Sequence, residues 1–208
     1  MRTPFLDVCR PGVRALARLY FGLRLEGTEH IPQIGPLVIA PNHQTYVDPV
    51  LVTIPVRRPI YYMAWNRLFE VPGLSWAIRR LRAFPVQLES RDPGATREAI
   101  RLLQAGEALM IFPEGARSLD GQIGRFKLGA FRLAASLGVP VLPVTIAGGH
   151  ASWPPGRPFP RPATMTVTYH PPVYPDAGRD AREAARQLAE QTRAAITAGA
   201  PPRDSQRP

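Results

Sequence analysis

The chain has 208 residues, 45% of them apolar, which suits one domain able to bury roughly 70% of its unfolded surface and excludes a disordered chain. Its one cysteine, Cys9, excludes an internal disulfide and a cysteine-based zinc site; His30, His43, His150 and His170 are too widely spaced for a compact His-x-x-x-His metal pair. A net charge of +10, with 25 arginines and the single Lys127 against 16 acidic residues, favours an anionic partner, but no aromatic RNA-binding signature or zinc-finger spacing accompanies the arginines.

At the N-terminus, Asp7 and Arg10 interrupt what would have to be the apolar core of a signal peptide, and no small-residue cleavage site follows. No apolar run approaches the roughly 18 residues of a membrane-spanning helix, so a soluble or surface-bound protein of the reducing interior is expected. Residues 11–25 read as an amphipathic helix. Arg10, Arg14 and Arg18 recur on one face, while Val13, Leu16, Leu19, Tyr20 and Leu23 fall on the other, with Phe21 out of place on the basic side. That pattern fits a helix lying in a membrane interface and a helix packed on the domain's own core equally well.

Further along, the apolar run 37–40 predicts a buried strand entering Pro41-Asn42-His43. Residues 49–54 follow as a short helix with Asp48 as N-cap and Pro49 at its first position. Strands are predicted over 60–64 and 83–88, then a helix opened by Asp92-Pro93 and stopped by Gly106. Residues 108–112 form a strand running into Pro113-Glu114-Gly115; a helix over 125–137, closed by Gly138, leads to a strand at 141–147. Residues 164–169 alternate as a half-buried strand, and 180–197 form the last helix. Strands alternating with helices predict a single α/β domain, a largely parallel sheet flanked by helices, behind the N-terminal amphipathic helix. The division expected is 1–25 for that helix, 26–198 for the domain and 199–208 for a flexible tail.

In open α/β sheets ligands bind beyond the carboxyl ends of the strands. Three polar clusters are predicted there: Asn42-His43, Glu114 to Ser118, and the Gly148-Gly149-His150 turn. His43 and Asp48, five residues apart, would lie about 140° apart on a continuous helix. They meet only if the segment curls, and a histidine held by a carboxylate is then a general base with a fixed tautomer. Failing that, Asp48 is an N-cap and His43 a loop residue. Arg117 offers a planar fork matching phosphate oxygens, and the alternative is a local ion pair with Glu114. No Gly-x-Ser-x-Gly elbow supplies a serine nucleophile, and Cys9 is remote from every cluster.

Asn42-His43-Gln44-Thr45-Tyr46-Val47-Asp48 and Phe112-Pro113-Glu114-Gly115-Ala116-Arg117-Ser118 resemble the paired signatures of the lysophospholipid acyltransferase family, the 1-acylglycerol-3-phosphate acyltransferases. Ala83-Phe84-Pro85-Val86 and Val139-Pro140-Val141-Leu142-Pro143-Val144 resemble the other two family blocks, in the right order. The resemblance runs from about residue 26 to 173. It implies a transferase at the inner face of the cell membrane that moves a fatty acyl group from acyl-CoA or acyl-ACP to a lysophospholipid, with no acyl-enzyme. His43 would deprotonate the acceptor hydroxyl and Asp48 would orient its ring. Asn42, Glu114, Gly115, Arg117 and Ser118 would hold the acceptor, and Pro140 and Pro143 would shape the donor side. The implied partners are the two substrates, an anionic membrane surface and an acyl carrier protein, with no nucleic acid, metal or bound cofactor. Many members carry an arginine where Gln87 and Leu88 stand here, with Arg82 and Arg91 the nearest substitutes, and a lysine where Trp65 stands. Two other readings share the residues: a thioester or lipid ester hydrolase using the same dyad, and a non-catalytic binder of anionic membranes or nucleic acid.

Overall fold

The computed structural model describes residues 4–87, 90 and 92–200, with side chains from residue 9 onward. Helix α1 (Pro4–Phe21) is followed by β1 (Arg24–Glu26), β2 (Leu37–Pro41), α2 (Asp48–Thr53) and β3 (Ile60–Trp65). A 3-10 turn (Asn66–Glu70) and α3 (Pro72–Arg80) then lead to β4 (Ala83–Val86). The chain continues through α4 (Pro93–Gln104), β5 (Ala108–Met110), α5 (Gly129–Leu137), β6 (Val141–Ala147), α6 (Gly149–Ser152), β7 (Thr166–Tyr169) and α7 (Ala181–Gly199). Leu88, Arg91 and residues 201–208 of the expected tail lie outside the described residues, while Gly199, expected in that tail, closes α7.

Seven strands form one sheet in the order β1-β7-β6-β2-β5-β3-β4. Every neighbouring pair is parallel except β6 with β7. A largely parallel sheet needs cover on both faces, which is why all five residues of β2 are buried. Leu37 and Ile39 point into a core shared with α1 and α2, and Val38 and Ala40 into a second core shared with α4, α5 and α7. The strand β2 has β5, β3 and β4 on one side and β6, β7 and β1 on the other, so chain connections change sides there. A crevice is thereby left at the carboxyl ends of β2, β5 and β6.

Helix starts follow local chemistry. The Asp92 carboxylate accepts from the Ala95 N–H at 2.9 Å and caps α4; Asp180 caps α7 in the same way through Arg182 and Glu183. The first helix differs from the pattern expected of it. It ends at Phe21, and the following Arg24–Glu26 is a strand paired with β7, not a continuation of the helix. Its inward stripe is Val13, Ala17 and Phe21, at i, i+4 and i+8, with Ala17 and Phe21 buried. Phe21, which looked misplaced on the basic side, is the anchor; Leu16 and Leu19 are 66% and 87% exposed beside Arg14 and Arg18. The helix therefore packs on the domain's core with one stripe and leaves Leu16 and Leu19 of the other exposed. Among the described residues no helix is long and apolar enough to cross a membrane.

This face assignment makes a contrast. Phe21→Ala is expected to cost about 3–5 kcal/mol of stability, the range for emptying an aromatic core site, while Leu19→Ala stays within about 0.5 kcal/mol. Urea unfolding of both variants checks it, and equal costs would contradict the packing described.

Candidate active site

The site begins with a curl. After β2 the chain turns through residues 42–47 and enters α2 at Asp48, whose carboxylate points back at the turn instead of forward into the helix. Asp48 is fully buried, and its Oδ2 accepts from the Gln44 N–H at 2.6 Å and the Thr45 N–H at 2.8 Å, while Oδ1 accepts from the Thr45 hydroxyl. Asp48 makes no side-chain cap to α2, so its role is to fold the preceding turn. The same Oδ2 lies 2.9 Å from His43 Nδ1. A carboxylate oxygen only accepts, so Nδ1 carries the proton and Nε2, on the far side of the ring, offers its lone pair. The imidazole stacks on Phe112 with ring centroids 4.0 Å apart and is 18% exposed.

Both backbone groups of His43 are gripped by the second motif. Its N–H donates to Glu114 Oε1 at 3.0 Å, and its carbonyl accepts from the Ser118 N–H at 2.8 Å. Glu114 Oε2 accepts from the Gly124 N–H at 2.9 Å. Burial pushes the Glu114 carboxyl above its usual range, against the pull of these two N–H donors. Gly115 turns the chain at φ +76°, and the Lys127 side chain lies across it, so close that a Cβ there would come within 2.6 Å of Nζ. The Arg117 guanidinium rests 3.5 Å from the centroid of the Tyr46 ring, whose edge meets Trp153. Its Nη1 is buried and has no hydrogen-bond partner among the described residues.

The third cluster is tied to the first through Gln44. The Gln44 Oε1 accepts from the His150 N–H at 3.2 Å, and Nε2 donates to the Gly121 carbonyl at 3.1 Å. Gly148, at φ +80°, leaves β6 so close to the Thr164 carbonyl that a Cβ would lie 2.1 Å from its oxygen. All three expected clusters therefore share the carboxyl edge of the sheet.

The structure places the expected contact residues in two groups. Asn42, Glu114 and Ser118 have their side-chain polar atoms engaged within the protein. Asn42 donates to the Ile146 carbonyl at 3.0 Å and accepts from the Ile146 N–H at 2.7 Å, extending the β2–β6 pairing; the Ser118 hydroxyl meets Gln122 and Asp120. His43 Nε2 and the Arg117 fork are the groups turned to other use. Gln44, Thr45, Tyr46 and Phe112 complete the site; they lie inside the two motifs, but nothing in their residue types announced these roles. Pro143 is buried within β6 and Pro140 precedes that strand. Arg82 stands before β4, at the opposite edge of the sheet, and donates to the Tyr61 hydroxyl, so it takes no part in the site; Gln87 is braced by Asp92. Trp65 closes β3 with Arg67 over its ring.

Comparison with known proteins bears on the family and the fold. The family described as Acyltransferase matches residues 22–147. The chain is 30% identical over 161 residues to the chloroplastic 1-acyl-sn-glycerol-3-phosphate acyltransferase of Brassica napus, covering 74% of this chain and 46% of that protein. It is 30% identical over 182 residues to the 1-acyl-sn-glycerol-3-phosphate acyltransferase of Pseudomonas aeruginosa, covering 84% and 67% respectively. The crystal structure of PlsC, the 1-acyl-sn-glycerophosphate acyltransferase of Thermotoga maritima, matches with a TM-score of 0.76 and 31% identity over 93% of this chain and 78% of that one. The chain thus spans about half the length of its Brassica relative.

The bracing by Glu114 has a pH signature. Because burial raises its carboxyl above the ordinary 4.5, the folded protein binds a proton there that the unfolded chain has already released. The contribution of this group to stability falls as pH rises from 4.5 through the raised folded value. Wild type should lose stability relative to Glu114→Gln across that window in thermal melts; a difference independent of pH would contradict the burial.

Proposed function

The chain belongs to the Acyltransferase family, and from that premise we propose that it transfers a fatty acyl group from an acyl thioester to the free hydroxyl of 1-acyl-sn-glycerol-3-phosphate, giving phosphatidic acid. One observation carries this reading. A histidine with its tautomer fixed by a buried carboxylate hangs from a turn braced by the neighbouring turn, which holds an arginine fork with a buried N–H that has no partner among the described residues. A base and an anion ligand, locked in register and lacking a local nucleophile, suit a bound phosphate ester whose own alcohol reacts.

In this mechanism His43 Nε2 takes the acceptor hydroxyl proton as the oxygen attacks the thioester carbonyl carbon. The new C–O bond forms, the C–S bond breaks, and the proton returns from the imidazolium to the leaving thiolate. Asp48 holds the ring and stabilises the imidazolium through Nδ1–H. Arg117, stiffened by its stack on Tyr46, would take the acceptor phosphate through its guanidinium fork. Asn42, Glu114 and Ser118 serve by bracing the two turns, and Gly115 by letting the second one pass beneath Lys127. The acyl donor is acyl-CoA or acyl-ACP, both acidic and suited to a chain of net charge +10. We place the protein at the inner face of the cell membrane, with Leu16 and Leu19 toward lipid and Arg14 and Arg18 at the phosphates.

Mass spectrometry of products from lysophosphatidic acid and a long-chain acyl thioester tests the proposal. Wild type should yield phosphatidic acid, and His43→Ala should lower kcat by roughly 10²–10⁴-fold, the usual worth of a general base. Arg117→Ala should raise the acceptor KM by roughly 10–100-fold, as for a lost charge-assisted bond. Free fatty acid released equally fast without acceptor would replace the transferase with a hydrolase. An Arg117→Ala effect confined to the thioester would move the arginine to the donor.

A further inference from the structure

From Asn66 to Gln87 the chain contains no fully buried residue, although Leu68, Phe69, Val71, Leu74, Trp76, Ile78, Leu81 and Phe84 give it ordinary core composition. Val71, Leu74 and Trp76 are 52%, 40% and 59% exposed. The helix α3 rests mainly on the preceding 3-10 turn and on β4, the edge strand of the sheet. An amphipathic helix whose apolar side chains are left uncovered at a sheet edge is expected to meet something else.

The charges around it say what. Arg67, Arg79 and Arg80 have no carboxylate partner among the described residues; their guanidinium carbons lie 5.2, 4.9 and 5.1 Å from the centroids of the Trp65, Phe69 and Trp76 rings. Some arginines elsewhere are neutralised, as Arg101 is by Glu98 and Arg179 by Asp176; these three are not, and they cluster on one short segment. Glu70 is the one acidic residue between 66 and 87. Aliphatic tips and a tryptophan between uncompensated arginines match the layering of an anionic bilayer, with acyl chains below and phosphates above. A polyanion such as RNA would give Val71 and Leu74 nothing to contact.

The position fits as well. The 3-10 turn leaves the carboxyl end of β3, on the same sheet edge as His43 and Arg117, and the exposed apolar residues sit at the start of α3, nearest that edge. We infer that the surface formed by the 3-10 turn and α3 docks on an anionic phospholipid bilayer, inserting Val71, Leu74 and Trp76 while Arg67, Arg79 and Arg80 engage the lipid phosphates. The inference rests on the lipid-acyltransferase reading for its purpose: the surface would hold the open edge of the sheet against the layer from which a lipid acceptor enters. It adds a second contact to that of α1, on a different part of the molecule.

Vesicle sedimentation of the full chain on phosphatidylcholine with and without phosphatidylglycerol tests it, and needs no turnover. Wild type should bind only the anionic vesicles. Leu74→Ser/Trp76→Ser and Arg79→Gln/Arg80→Gln should each weaken that binding by roughly tenfold or more. Quenching of tryptophan fluorescence by brominated lipid should largely vanish in Trp76→Phe. Wild-type binding and quenching in all three variants would overturn the inference, as would loss of binding only in Leu16→Ser/Leu19→Ser. So would a dimer that Leu74→Ser/Trp76→Ser dissolves without affecting vesicles. Transfer to a short-chain acceptor dispersed as monomers should be unchanged in these variants, and an equal loss there would make α3 part of the site instead. If no chain transfers acyl groups but the vesicle results hold, the reaction assigned above fails and the surface stands.

Discussion

A single buried carboxylate holds the site together. Asp48 collects hydrogen bonds from two backbone N–H groups, one hydroxyl and one imidazole, all contributed by the five residues before it. A buried charge without such partners would be costly, and with them it becomes the centre about which the turn closes. The curl points the His43 backbone at the neighbouring turn and its ring into the crevice. Remove the carboxylate and the Gln44 and Thr45 N–H groups lose their partner together with the histidine, so reactivity and local fold share one cause.

The parallel sheet supplies what this turn grips. Because β5 lies beside β2, the turn after β5 reaches His43 from one side; because β6 lies on the other, Asn42 and Gln44 bind Ile146 and His150 there. Three loops distant in sequence are joined by hydrogen bonds that leave the far nitrogen of His43 and an N–H of the Arg117 fork uncommitted among the described residues, along with Nδ1 of His150 in the third loop. Rigid support around a few uncommitted polar atoms is the arrangement that lets a site bind and react without first paying to order itself.

Much of this was legible in the residues. The strands at 37–40, 60–64 and 141–147 announce themselves as continuous apolar runs, and Asp92 and Asp180 mark helix starts by their position before Pro93 and the last helical pattern. The spacing of His43 and Asp48 showed that they meet only if the segment curls, and left an N-cap role for Asp48 as the alternative; the curl itself is seen only in the fold. What escaped notice has physical reasons. Asn42 and Glu114 bond to backbone atoms, and backbone partners leave no trace in residue type. Phe21 was assigned outward because a basic stripe was counted from Arg10, whereas the inward stripe was set by what β7 and α2 could cover. The helix α3 was overlooked because it is only nine residues long, opens on Pro72-Gly73 and buries none of its apolar residues fully. Asp48 looked like a cap because Pro49 follows it, and nothing local shows that its side chain is drawn backward.

The central claim is that Asp48 fixes the proton of His43 on Nδ1, leaving Nε2 free to accept. Long-range ¹H–¹⁵N correlation spectra of the full chain, with the ring in its neutral form, observe this directly. The account predicts a protonated Nδ1 and a bare Nε2 in wild type, with that preference lost in Asp48→Ala. A wild-type ring carrying its proton on Nε2 would contradict it.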